Sequence, residues 1–383
     1  KARLLAAEHW LCIERALCAT RVHRETEGLH PSLRAAKVLE RVFREMTIRL
    51  EPDELLVGNR SSRPIAPPIA PERGDLNFVL RYLFDELEGF GYRITPEDRA
   101  VLFGEILPAW EGKTVRDLKT AAFDTHALSS RIDLSPRALV RKARSFGPEA
   151  LSRLIAPRVS STRADRLRRL PKILRAVQAG SKDNLKGRGR CTDTQAHIVP
   201  GHKNVLSMGF SGIRDAACAR AAGARDDDAR AFLESVVLAC DAMRSFAGRF
   251  AALARAQAAA ARDPERRAEL LDVARTCDRV PWLPPRTFHE AVQALWFTQN
   301  AAIISYGAGS GITPGRVDQL LRPFYERDVA RGELTRAHAL RLVEELLIKL
   351  NDNVVIWPNL GGVELNHLGS DVENVTIGGL DRE

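Results

Sequence analysis

The chain has 383 residues, more than one ordinary domain of about 100 to 200 but within a single large α/β architecture, so a small disulfide-stapled module is excluded. Hydrophobic residues make up 45% and charged residues 28%, and no run approaches the roughly 18 uninterrupted apolar residues of a membrane span. The formal charge of +9 is concentrated: residues 131–190 hold 17 Lys and Arg against 4 Asp and Glu, which leaves the rest of the chain net acidic.

In chain order, KARLLAAEHWLCIERAL carries Glu8 and Glu14 inside an amphipathic pattern, which argues against a secretory signal and predicts a helix over 2–19. Pro31 through Met46 repeats apolar residues at the three/four spacing of a second helix. IRLEPDELLVGNRSSRPIAPPIAPE is Pro-rich and extended, and reads as chain laid across the surface of a larger body. Residues 76–120 return to helical patterns interrupted by the loop LPAWEGKTV, and the basic stretch 131–190 reads as a helical insert closing in a Gly-rich surface loop.

From His197 an extended apolar segment feeds a helix that continues past Arg220. Ala-rich Asp226–Arg262 and Glu265–Asp278 are further helices. Thr287, with Glu290 three residues on, is placed as the N-cap of a long apolar helix whose far end meets a cluster of glycines. That cluster lacks the Gly-Lys-Ser/Thr ending of a phosphate loop, and a new helix is expected after Pro314. A helix over 335–350 precedes two short strand candidates, VVIW and NVTIGG.

Six cysteines lie far apart with no CxxC pair, so neither a zinc site nor a disulfide framework is indicated and a reducing cytoplasm fits best. Cys191 alone sits in a polar segment, KGRGRCTDTQ, as a candidate thiol. The basic insert can attract nucleic acid or an acidic partner, but its arginines fall at helical spacing among Leu, Ile and Val with few aromatics to stack on bases. A solvated helical face is the expected reading, with no nucleic acid and no membrane as partner. The chain opens on Lys1 rather than Met and ends at Glu383 without a closing element, so both ends are expected to be cut.

The segments PPRTFHEAVQALWF, ITPGRVDQLLRPFYERD, LLIKLND and NVTIGG, in this order and spacing, resemble the glycyl radical enzymes of the pyruvate formate-lyase superfamily. RLEPDELLVGNRSSRP, WEGKTV and HIVPGHKNVLSMGFSGI extend the likeness upstream, so that it covers most of 20–120 and 195–383. The resemblance implies a mostly helical α/β fold: the N-terminal half of a ten-stranded β/α barrel, one five-stranded half-barrel wrapped by helices. It makes 1–383 an incomplete pyruvate formate-lyase-like domain with 131–190 inserted. It implies anaerobic, oxygen-sensitive radical chemistry, in which a glycyl radical installed by an S-adenosylmethionine/[4Fe-4S] activating enzyme takes hydrogen from a cysteine whose thiyl attacks substrate.

The family's cysteine loop follows the NVTIGG strand and its radical glycine lies near the C-terminus, so neither is expected in these residues and the chain alone is expected to be inactive. A C-terminal half, in the same or a second polypeptide, is the expected partner, together with the activating enzyme, a small-molecule substrate and a second copy in a homodimer. The expected chemistry is lyase- or transferase-type C–C or C–heteroatom cleavage or addition on a small organic acid; the alternative is a non-catalytic scaffold binding through the insert.

The resemblance also sets the candidate pocket residues. His197 aligns with the family's pocket-loop histidine, although a histidine satisfied by backbone is an equal reading. Asp193, Ser310, Asn366, His367 and Asp371 are the other pocket candidates. Ser310-Gly311, where diol dehydratases carry His-Ser, disfavours a diol substrate. His202, where many members carry an acidic or amide residue, argues against choline- and isethionate-type lyases. No metal is expected, since two imidazoles five apart without a third ligand rarely fix an ion. Arg316 and Asp318 read as a structural pair or cap.

Overall fold

The computed structural model describes residues 7–74, 77, 80–81, 84–89, 91–115, 117–118, 198–307, 311–351 and 375–378. The 131–190 insert, Cys191 and the VVIW segment therefore lie outside the described residues. What is described is mostly helical, with a few very short parallel strand pairings.

The chain enters as strand β1, His9–Trp10, and only then forms helix α1, Glu14–Glu25. The expected helix over 2–19 is thus corrected where the structure describes it: residues 7–13 are not helical, the helix begins at Glu14, and residues 2–6 lie outside the described residues. The cause is non-local, because Trp10 N–H donates to the Ile65 carbonyl at 2.9 Å and Leu11 N–H to that of Arg93 at 2.8 Å. β1 pairs in parallel with β2, Tyr92–Arg93, and makes isolated bridges to Ile65 and Pro68. Helix α2, Pro31–Glu45, starts on a proline whose missing N–H costs nothing at that position. Helix α3 is Phe84–Gly89 and helix α4 is Pro96–Val101, capped by Thr95 and continuing through a π-helical turn over Leu102–Ile106.

Helix α5, His202–Ala222, is broken at Gly209, whose φ of 65° and ψ of 174° are non-helical. Phe210 and Ser211 N–H groups bond outward to the Pro281 and Trp282 carbonyls, and a Cβ on Gly209 would stand 2.3 Å from Trp282 O. Only glycine fits. Helices α6, Asp227–Ala260, and α7, Pro264–Arg279, match the Ala-rich expectation to within two residues at each end. Both begin on aspartates whose carboxylates accept from the first-turn N–H groups.

Helix α8, Phe288–Tyr306, is buried on nearly every face, as an apolar helix must be when it runs through a core. Thr287 caps it as predicted, while Glu290 reaches back to the Arg286 N–H, one residue before the expected target. Strand β3, Gly315–Arg316, leads into α9, Val317–Ala330, followed by α10, Arg336–Asn351, and strand β4, Val375–Thr376, which pairs in parallel with β3.

Two apolar cores flank α8. On one side, Phe43 of α2 stacks on Phe246 of α6 at 4.3 Å between centroids, with Phe250 and Phe297 closing the cluster. On the other, Leu295 and Trp296 pack with Leu55, Leu56, Leu342 and Leu346. Cys12, Cys18, Cys240 and Cys277 are buried and Cys218 is exposed. Burial pushes the Cys18 thiol up to about 11 and that of Cys240 to about 12, so these are packing groups rather than nucleophiles.

Candidate functional site

All six predicted pocket residues, His197, Asp193, Ser310, Asn366, His367 and Asp371, lie outside the described residues. Their described neighbours are nevertheless brought together. Ile198, next after His197, donates its N–H to the Gly311 carbonyl at 2.9 Å, and Gly311 follows Ser310. Thr313 N–H returns to Ile198 O at 3.0 Å, making a parallel bridge between Ile198 and Ile312. A few residues on, β3 pairs with β4 in the register Gly315 to Val375 and Arg316 to Thr376. Three chain segments far apart in sequence thus run side by side. Gly315, at φ +74°, belongs to this contact, because a Cβ there would lie 2.9 Å from Val199 Cγ1.

Beneath this edge, α5 is tied to α8 by a buried relay. Gln299 Nε2 donates to Ile312 O at 2.6 Å, which leaves its Oε1 facing His202 Nε2 at 3.3 Å. His202 therefore carries its proton on Nε2, and among the described residues Nδ1 is buried without a partner. Burial holds this imidazole down to about 4, so it stays neutral at ordinary pH. With 1% of its surface accessible, His202 is packed inside the protein.

Expected on the surface, the segment after α2 instead runs through the interior: Leu55 to Ser61 are all buried. Buried peptide groups need partners, and here side chains supply them in place of a neighbouring strand. Glu345 of α10 accepts the Leu55 and Leu56 N–H groups at 2.7 and 2.9 Å. Gln293 accepts from Val57 N–H and donates to Val57 O, both at 2.8 Å. Trp296 Nε1 donates to Gly58 O at 3.0 Å, and Asn300 Nδ2 to Asn59 O at 3.2 Å. His289 reaches Leu55 O through Nε2 at 3.1 Å and Asp272 through Nδ1 at 3.2 Å, which holds the Asp272 carboxyl below the usual range.

The other end of α8 is held by Arg15, whose guanidinium is 4% exposed. It donates to the Ile304, Ser305 and Ile69 carbonyls at 2.6, 3.0 and 3.2 Å and pairs with Glu72. A cation at a helix C-terminus satisfies orphan carbonyls and opposes their dipole. Sequence reasoning missed Arg15, Gln293, Gln299 and Asn300. The signal available was three amides in an otherwise apolar helix, since buried amides must have specific partners.

Arg316 and Asp318 meet across Gly378 rather than across each other. Gly378 N–H donates to Asp318 Oδ2 at 2.7 Å, and Arg316 donates to Gly378 O at 2.8 Å. Their structural role is as expected, but the object they hold is Gly378, two residues beyond β4. Among the described residues no cluster of three or more His, Cys, Asp or Glu could hold a metal ion, and no helix is long and apolar enough to cross a membrane.

Comparison with known proteins places this geometry. The Pyruvate formate lyase-like family model matches residues 1–136 and 177–383. Isethionate sulfite-lyase of Desulfovibrio desulfuricans is 33% identical over 96% of this chain and 40% of its own length. Trans-4-hydroxy-L-proline dehydratase of Clostridioides difficile is 27% identical over 98% of this chain and 42% of its own length. The glycerol-bound form of the B12-independent glycerol dehydratase from Clostridium butyricum superposes with a TM-score of 0.71 at 25% identity, covering 94% of this chain and 40% of that one. The chain thus spans about 40% of the length of the curated relatives it matches.

Proposed function

This chain belongs to the pyruvate formate lyase-like family of glycyl radical enzymes, and from that premise we propose that it forms the N-terminal wall of a radical lyase or dehydratase. The wall is one half of the family's barrel, with the segments at 198, 311–316 and 375–378 as neighbouring staves. Their parallel pairing is the observation that carries the reading, because it draws the flanks of His197 and Ser310 and the strand after Asp371 to one edge.

The substrate is a small organic acid that undergoes radical C–C or C–heteroatom cleavage. Two of the similar proteins are named for isethionate and trans-4-hydroxy-L-proline, both small acids, which supports this class. His197, Asp193, Ser310, Asn366, His367 and Asp371 are the residues proposed to contact it. The reactive cysteine and the radical-bearing glycine are supplied by sequence other than these 383 residues, in keeping with the 40% share of the relatives' length. A glycyl radical, once installed by an S-adenosylmethionine/[4Fe-4S] activating enzyme, supplies the hydrogen-abstracting chemistry. What this chain contributes is a dry wall and the placement of strands upon it, in a cytoplasmic, oxygen-sensitive enzyme that works as a homodimer. The unmatched residues 137–176 support reading 131–190 as an insert in this domain.

The test is anaerobic activation of the full-length protein with its activating enzyme, followed by electron paramagnetic resonance. A carbon-centred doublet is expected there and none from residues 1–383 alone; a featureless spectrum from the full-length protein refutes the assignment.

A further inference from the structure

We propose that His289 is a proton-operated latch on the buried segment at Leu55: doubly protonated it grips the peptide group between Leu55 and Leu56, and when it gives up one proton the grip opens at the carbonyl. The latch belongs to these residues and does not depend on the radical-enzyme reading. One peptide plane is held at both of its poles. Its C=O, from Leu55, faces His289 Nε2 at 3.1 Å, and its N–H, from Leu56, donates to Glu345 Oε2 at 2.9 Å. The same carboxylate oxygen also accepts the Leu55 N–H at 2.7 Å. Leu55 and Leu56 are 1% and 0% exposed, so water does not stand in for either partner.

The other ring nitrogen, Nδ1, faces Asp272 Oδ2 at 3.2 Å. A neutral imidazole has one N–H to give, and here both nitrogens meet oxygens that only accept, a peptide carbonyl and a carboxylate whose ionised form the His289 bond itself favours. Both contacts are hydrogen bonds only when the ring is an imidazolium. The peptide dipole then lies between a cation at its carbonyl end and an anion at its amide end, which makes both bonds charge-assisted. Loss of one proton leaves the remaining N–H with the carboxylate, the stronger acceptor. It sets a lone pair on Nε2 against the Leu55 carbonyl, and a buried carbonyl without a donor is costly.

The charges around the latch are otherwise engaged. On α7, Arg275 donates to Asp272 Oδ1 at 2.9 Å, and Glu269 is held by Arg266 and Arg341 at 2.7 and 2.5 Å. On α10, the His338 ring lies 6.1 Å from that of His289, and burial followed by the His289 and Arg341 charges favours its neutral form. From the entering segment, Glu54 pairs with Lys349 at 2.8 Å. Glu345 is the other group whose titration reaches the peptide: burial raises its carboxyl against the pull of the Leu56 and Leu55 N–H groups, Lys349 and Arg341. Removing its charge therefore separates its effect from that of His289.

The test is amide hydrogen exchange, read by mass spectrometry on the full-length, unactivated protein at about pH 6 and about pH 8.5, either side of the range in which histidine changes charge, with each rate corrected for intrinsic exchange. Protection of peptides carrying the Leu56 amide should fall at least about tenfold between the two, the size of one charged hydrogen bond. The α6 core around Phe246 should show no such fall, since the effect of His202 on global stability has the opposite sign. Asp272→Asn can offer Nδ1 an amide donor, so a neutral ring still serves Leu55 O, and His289→Gln brings an amide that does not titrate; in both the fall should shrink to about twofold or less. Glu345→Gln keeps an acceptor and should retain the wild-type fall. Equal wild-type protection at the two pH values overturns the proposal, as does a matching fall in α6, a full fall in Asp272→Asn or His289→Gln, or its loss in Glu345→Gln. Should the variants not fold, ring-nitrogen NMR of wild-type His289 decides: two protonated nitrogens at the lower pH and one at the higher are expected, and an unchanged count overturns the latch.

Discussion

Replacing Gln293 by Leu removes the amide that serves both polar groups of Val57. Gln293 and Val57 are each 0% exposed, so water does not take over the lost bonds. Two buried backbone groups left unpaired cost about 1 to 3 kcal/mol each, or about 2 to 6 together. Leucine is nearly isosteric and spares the desolvation of the amide, which returns about 1 to 2 kcal/mol. The midpoints of these ranges leave a net loss of about 2.5 kcal/mol, a large fraction of the 5 to 15 typical of folded domains. Urea unfolding followed by tryptophan fluorescence measures it, with Trp296 one turn from the altered site. Gln257→Leu is the control, because Gln257 bonds Leu50 O at 3.0 Å from a half-buried position where water can substitute. A Gln293→Leu loss below about 1 kcal/mol, or one equal to the control, would show that the buried segment is not held by this amide.

Gly209→Ala forces a Cβ against Trp282 O at a backbone conformation L residues rarely adopt, and a loss of about 3 kcal/mol or more is expected in the same assay. Arg15→Lys keeps the charge but not the fork that reaches three carbonyls and Glu72; about 2 to 4 kcal/mol should be lost, and wild-type stability would refute the planar-donor account. His202 has a folded pKa of about 4 against 6.5 ordinarily, so the unfolded chain binds a proton that the folded one rejects. Stability should therefore fall as pH drops below 6.5 and level off below 4, with about 2 kcal/mol lost between about pH 7.5 and pH 5. His202→Gln should flatten that slope by the same amount; an unchanged slope would mean the imidazole is not held neutral.

Local rules made the long helices legible. The Ala-rich run of α6 and α7, the Thr287 cap and the proline start of α2 all depend on residues within a turn of one another. Reading failed where the partner lies far along the chain. AAEHWLCIERAL has helical periodicity throughout, but His9 and Trp10 are claimed by Tyr92 and Arg93, and pairing overrides propensity. The proline-rich stretch around Leu55 to Ser61 lacks strand alternation, so nothing local announced that amides on α8 would take it into the core. At the candidate site, their place at i and i+2 where a helix begins marked Arg316 and Asp318 as a structural pair or cap, yet only three-dimensional placement showed Gly378 between them.

The clasp on Val57 joins residues 236 positions apart. At about 5 to 20 residues per second, a ribosome needs roughly 10 to 50 seconds to deliver Gln293 after Val57 has been made. For that interval Leu55 to Asn59 have emerged with apolar side chains and bare peptide groups, and none of their eventual helical partners exists. Whatever shelters the stretch during synthesis must offer hydrogen bonds as well as grease, and must let go once α8 arrives.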